Sequence, residues 1–215
     1  MDHVIIPGDT AGPDPWRELA SLFAEFSPAS VAIDSGFNAQ TVYDFVRRFR
    51  FCRAIKGTTG MGRPLVEDDR KRAQRLRARR KAGGYPVEPV GVDGGKITIH
   101  ARLRQTTAGH GYIHFPDHPA FDQEYFDQLA AEKLITRYRY GRPYQEWQQV
   151  RPRNEALDCL VYALAALRLW GGLEQAQQAK NNTVAAKQAF KRLNEQQRRL
   201  MQGGGCGFVS AWKRL

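Results

Sequence analysis

The chain has 215 residues, 42% of them hydrophobic and 26% charged, with a formal net charge of +11. That length buries a core without disulfide or metal staples, and the longest apolar stretch, Cys159 to Leu167, is about half a membrane span, so neither a stapled mini-domain nor a bilayer-spanning chain is expected. Three widely separated cysteines, Cys52, Cys159 and Cys206, form no CxxC pair and argue for reduced thiols, while MDHVIIPGDTAG carries acids where a signal peptide needs positive charge.

In chain order, turn formers fill residues 1 to 15, and WRELASLFAEF then gives a helical apolar pattern at Trp16, Leu19, Leu22 and Phe23. SVAIDSG reads as a strand that ends in Asp34. FNAQTVYDFVRRF follows as a helix capped by Asn38, with Val42, Phe45, Val46 and Phe49 on one face. FCRAIKGTTG reads as a second strand ending at Gly57, and strand, helix, strand suggests an α/β layer around a central sheet. Gly60 to Pro89 is the least structured-looking part. VEPVGVDGG resumes a strand that stops at Asp93-Gly94-Gly95, and the alternation of KITIHARL favours another strand, with a helix from Lys96 as the alternative. GYIHFP is a short apolar segment, FDQEYFDQLAAEKL an amphipathic helix, and ITRYRYGRPYQEWQQV a hairpin turning at Gly141-Arg142-Pro143. NEALDCLVYALAALRLW is the strongest helix signal. A polar helix from Glu174 to Met201 and a GGGCG-linked tail come last, which suggests a main domain over 1–172 and an extension over 173–215.

The charge is concentrated rather than spread. Eight of the 33 basic residues lie in RKRAQRLRARRK, as Arg70, Lys71, Arg72, Arg75, Arg77, Arg79, Arg80 and Lys81, and the remaining 25 nearly balance the 22 acids. A local run of this kind suits a polyanion such as nucleic acid, or else is a solvated segment.

Three acids stand out against that background. Asp158 is the only charged residue from Ala156 to Leu167, on a helix that is apolar all round and therefore expected to be buried. A first-turn dipole bonus of about 0.3–1 kcal/mol does not offset the several kcal/mol of burying an ion, whereas a metal does. Asp34 and Asp93 repeat the pattern at strand ends, although Asp93-Gly94 is also an ordinary turn signal. Oxygen-only ligands suit Mg²⁺ or Mn²⁺, and two such ions serve in-line phosphodiester displacement. His110, His114 and His118 have the spacing of a zinc face, but Gly109, Gly111 and Pro116 break any helix there. Neither a GxSxG elbow nor a GxxxxGK[ST] loop is present, so a serine nucleophile and P-loop ATP binding are not expected.

The ordered segments AIDSGFNAQTVYDF, AIKG, PVGVDGGK, GYIHFP, YFDQLAAEKL and RNEALDCLVYALAA resemble the nuclease domain of lambda-type (GpA-like) phage terminase large subunits, over Ile33 to Ala166. The resemblance implies an RNase H-like fold, a mixed sheet flanked by helices. It also implies a divalent-metal-dependent endonuclease that cuts concatemeric viral DNA with two Mg²⁺ or Mn²⁺ ions. Asp34 matches the first-strand acid and Asp158 the acid of the closing helix, with Asp93 as the middle acid. Glu155, one turn before Asp158, joins the metal shell or only the helix cap. Lys56 and Lys96 match family lysines and are expected to contact phosphate or neutralise charge; His114 and Glu132 match as well. Double-stranded DNA is the expected partner, with a terminase ATPase domain, the small terminase subunit and the portal in the full machine, in the cytoplasm of a bacterial host and without a membrane. The competing readings are a non-catalytic DNA-binding or packaging-assembly module and another RNase H-like nuclease, such as a junction resolvase.

Overall fold

Three short apolar runs pair side by side in the computed structural model, which describes residues 3–172 and, beyond them, only the single positions 174, 175, 178, 181, 191 and 195. Strands β1 (Val31–Asp34), β2 (Cys52–Thr58) and β3 (Glu88–Gly91) form a parallel sheet in the order β1-β2-β3. Asp34 lies opposite Ile55 and Gly91 opposite Thr58, so all three strands end at one edge of the sheet. Side chains alternate across a strand, and on β2 this sends Cys52 and Ala54 into one core and Ile55 into another.

The first core lies under α1 (Asp14–Phe26) and α2 (Ala39–Val46), where Phe23, Val42, Phe45 and Val46 close on Cys52, Ala54 and Val87. Phe23 meets Phe49 and Phe51 edge-on, the arrangement that ring quadrupoles favour. Asn38 does stand at the start of α2, but in the left-handed conformation that asparagine tolerates. Its amide donates to Thr10 Oγ1 instead of its side chain capping the backbone.

The second core gathers α4 (Val92–Leu103), α5 (Gln123–Leu129) and α6 (Glu155–Trp170) around Ile55 and Val90. KITIHARL is thus helix, not strand, and the strand before it stops at Gly91, which leaves Asp93 in the first turn of α4. Ile97 and Ile99 mimic strand alternation, but the buried positions are Val92, Gly95, Lys96 and Ile99, a helical i, i+3, i+4, i+7 set. Two of those four are glycine and lysine, so hydrophobicity alone hides the face. Helix α6 is also less enclosed than its sequence suggests, because Glu155, Cys159 and Ala163 form an exposed stripe.

The basic run is not irregular but forms helix α3 (Asp69–Lys81), capped by the Asp68 carboxylate, which accepts the Lys71 N–H. None of its residues is buried. Strands β4 (Glu132–Arg139) and β5 (Arg142–Gln149) make a separate antiparallel hairpin. Tyr140 and Gly141 both have positive φ, so the turn sits one residue earlier than expected, with the twist that two-residue hairpins prefer. The fold is α/β, with parallel and antiparallel pairing in two sheets among the described residues rather than one mixed sheet. No described helix is long and apolar enough to cross a membrane.

The chain divides into two compact units, Met1–Trp170 and Gly171–Leu215, and all these elements belong to the first. The polar helix and the tail expected after Glu174 lie outside the described residues, those single positions excepted, as does Cys206.

Candidate functional site

Lys96 is the centre of the charged cluster. Buried on α4, it places Nζ 2.6 Å from Glu132 Oε1 and 3.5 Å from Asp158 Oδ1. Glu132 opens β4, and Asp158 lies in the first turn of α6, so three elements meet at one ammonium group. The Asn154 amide reinforces the pair, donating to Glu132 Oε1 at 2.7 Å and Asp158 Oδ2 at 3.3 Å. The Gln128 side-chain Oε1 accepts the Ala156 N–H, satisfying one of the donors that a helix start leaves open.

Asp34 approaches from the sheet. The Tyr162 hydroxyl, one turn beyond Asp158 on α6, donates to Asp34 Oδ2 at 3.4 Å, and the Gly36 N–H donates to Oδ1 at 3.0 Å. Gly57 on β2 leaves room for this tyrosine: a Cβ there would lie 2.8 Å from the Tyr162 oxygen. Ser35 turns inward, and its hydroxyl donates to the Ile55 carbonyl at 2.7 Å, tying the strand end down beside the carboxylate. Contrary to the buried position expected at an apolar strand end, Asp34 itself is exposed. The parallel sheet stops at this edge, so its last side chain emerges into solvent.

Burial pushes the Asp158 pKa above the ordinary carboxylate value; Lys96 opposes the shift, while Glu132 and Asp34 add to it. Burial, with the charges of Asp34 and Asp158, likewise raises the Tyr162 pKa, so its hydroxyl stays a donor. Asp34, Glu132 and Asp158 offer only oxygen donors, the kind that hard divalent cations take, and Lys96 supplies one ammonium among them. Among the described residues, no group of three or more His, Cys, Asp or Glu side chains is placed to hold a metal ion.

The other residues singled out in the sequence lie apart from this cluster or are engaged elsewhere. Asp93 accepts the Gly60 N–H at 2.7 Å, and Glu155 is exposed beside Arg153. Lys56 is exposed on β2. On α3, Arg72 and Arg75 clamp the buried Glu88 at 2.8 and 2.6 Å, Arg75 also meets Glu67, and Arg79 donates to the Tyr85 carbonyl. Arg70, Lys71, Arg77, Arg80 and Lys81 are left on the exposed side of the helix. Sequence reasoning missed Tyr162, although it stands four residues from Asp158 on the same helix face, and it read Asn154 only as a helix cap. It gave Glu132 no role, because its partner Lys96 is 36 residues away.

Over residues 1–178 the chain matches the family described as the endonuclease domain of terminase large subunit gpA. It belongs to that family. Two curated terminase large subunits are similar to this terminase nuclease domain. The one from Escherichia phage lambda is 36% identical over 154 residues, covering 68% of this chain and 23% of the relative. The one from Enterobacteria phage P21 is 35% identical over 142 residues, covering 62% of this chain and 21% of the relative. The terminase nuclease domain therefore spans less than a quarter of either relative's length. No solved structure matches it.

Proposed function

We propose that this chain is a divalent-metal-dependent DNA endonuclease of a phage packaging terminase, cleaving concatemeric viral DNA on an RNase H-like scaffold. The observation that carries this reading is the link from Asp34 at the sheet edge, through Tyr162, to the helix that bears Asp158. Rigid elements hold both carboxylates, and their mutual repulsion calls for a cation. Asp34 and Asp158 would be the anchoring ligands; Asp93, in the helix that follows β3, accepts the Gly60 N–H and would have to turn toward them to serve as the third, with Glu155 at the rim. Bound there, two Mg²⁺ or Mn²⁺ ions would supply Lewis-acid stabilisation of the attacking and leaving oxygens. The chain's own residues do the positioning. Tyr162 and the Gly36 N–H orient Asp34, Lys96 and Asn154 orient Glu132 and Asp158, and Lys56 and the exposed face of α3 contact phosphate. Contacts of that kind fix register without reading sequence, so the chain should nick DNA with little sequence preference.

Plasmid nicking with Mg²⁺ or Mn²⁺ tests this. Asp34→Asn and Asp158→Asn should each lower the rate by more than about 100-fold, beyond what loss of an outer-shell partner usually costs. Metal-dependent nicking that survives either substitution would remove that residue from the site. A native chain that binds duplex DNA yet never cuts it would favour the assembly-module reading.

A further inference from the structure

The β4–β5 hairpin carries a second charged surface that the cluster at Lys96 does not use. Residues opposite each other in an antiparallel pair share a face. The register therefore puts Lys133, Ile135, Arg137 and Arg139 on one face with Gln148, Glu146, Tyr144 and Arg142. Four of these eight are cations and one is an acid. Glu146 pairs with Arg137, whereas Arg139 and Arg142 have no carboxylate partner among the described residues. These two arginines stand directly opposite each other beside the turn, a placement that destabilises a hairpin unless an anion lies against it. At the turn Tyr140 is 92% exposed, with the Arg139 guanidinium over its ring, and Tyr144, on the same face as the arginines, is 40% exposed. No third strand pairs with the hairpin among the described residues.

We propose that this face of the hairpin is a docking surface for duplex DNA, resting on the endonuclease reading above and adding to it the element that holds the substrate. A two-stranded ribbon has the width that a major groove admits, and arginines with exposed rings suit phosphates and base edges. Charge complementarity selects a polyanion over a protein partner. Each strand has eight residues, so the ribbon reaches about 23 Å from its root, or about seven base-pair steps of duplex. The root is Glu132, the residue bonded to Lys96, so DNA held on the ribbon is held at a fixed distance from the acidic cluster.

The test measures binding of a duplex of about 30 base pairs across a salt series without divalent ions, using the whole chain. The double variant Arg139→Gln, Arg142→Gln should bind about tenfold more weakly and reduce the salt slope by about 1.8, the share of two phosphate contacts. Tyr140→Asn, which keeps the left-handed turn, should weaken binding without changing the slope. Arg48→Gln, Arg50→Gln removes equal charge from exposed positions elsewhere and should have little effect. Unchanged binding by the hairpin variants overturns the proposal. So does an equal loss in the control pair, or a native chain that does not bind DNA. Nicking with Mn²⁺, measured in parallel, reports separately on the endonuclease reading: a chain that binds through the hairpin but never nicks keeps this surface and loses that activity.

Discussion

At the scale of single residues, the Asp158 carboxylate sits where three influences disagree: burial resists its charge, Lys96 favours it, and Glu132 with Asp34 repels it. The net effect is a raised pKa. An acid whose folded pKa lies above its unfolded value binds its proton more tightly in the folded chain, so its contribution weakens the fold as pH rises through the folded pKa. Below the unfolded pKa the group is protonated in both states and contributes nothing. Asp158→Asn should therefore raise the melting temperature at about pH 7.5, and the gain should shrink as pH falls into the carboxylate range. Lys96 stays paired with Glu132 in that variant. A melting temperature below that of the native chain at neutral pH would show that the Lys96 contact outweighs burial. Asp158 was legible in the sequence because it interrupts a long apolar run. Asp34 was legible as a strand-end acid but not as an exposed one, because strand length in sequence does not say where a sheet edge meets water.

At the scale of elements, α3 is held by charge rather than by packing. It buries no residue, and its attachment runs through Arg72 and Arg75 to Glu88, whose side chain is only 5% exposed. Removing Glu88 takes the buried acid from the network and leaves Arg75 with Glu67 and Arg72 with the exposed Asp69, so Glu88→Gln should cost about 1–3 kcal/mol, below the cost of a buried charge left wholly unpaired. The loss should be local, because α3 buries no side chain that would hold it once the ion pairs are gone. Hydrogen exchange should therefore accelerate over 69–81 far more than in α6, and high salt should reproduce part of the effect in the native chain. Unaltered protection of 69–81 in the variant would show that something other than Glu88 fastens the helix. This helix escaped sequence reading because it has no apolar stripe to give a period. The Asp68 cap, which accepts the Lys71 N–H, was passed over as well, because no apolar period follows it. In α4 the reverse occurred: a real helical face was present, but its buried members include Gly95 and Lys96, which carry no hydrophobic signal.

At the scale of the whole molecule, the acidic cluster exists only because α4 and α6 cross closely enough for Lys96 to reach Asp158. Gly95 sets that approach, since a Cβ there would lie 2.6 Å from Val161 Cγ1 and 3.0 Å from Leu65 Cδ1. No local rule connects residue 95 to residue 161, so the crossing was not legible in the chain, although the strand-end and helical acids that it serves were. Gly95→Ala keeps an ordinary helical backbone, and alanine is the better helix former, so local propensity favours the substitution. Overpacking opposes it and should win, costing about 1–3 kcal/mol as α4 is forced away from α6. Val161→Ala alone should also destabilise, by leaving a cavity beneath a fully buried side chain. Combined, the two changes place a small residue on each side of the crossing, and the pair should be more stable than the sum of the single losses by about 0.5–3 kcal/mol. Urea denaturation of the four chains gives that coupling directly. Metal-dependent nicking should follow the same order, falling in Gly95→Ala and recovering in the double variant, because the helix separation governs both. Additive losses would mean that the α4–α6 distance is set elsewhere, and that Lys96 reaches Asp158 by side-chain flexibility rather than by the fit of the two helices.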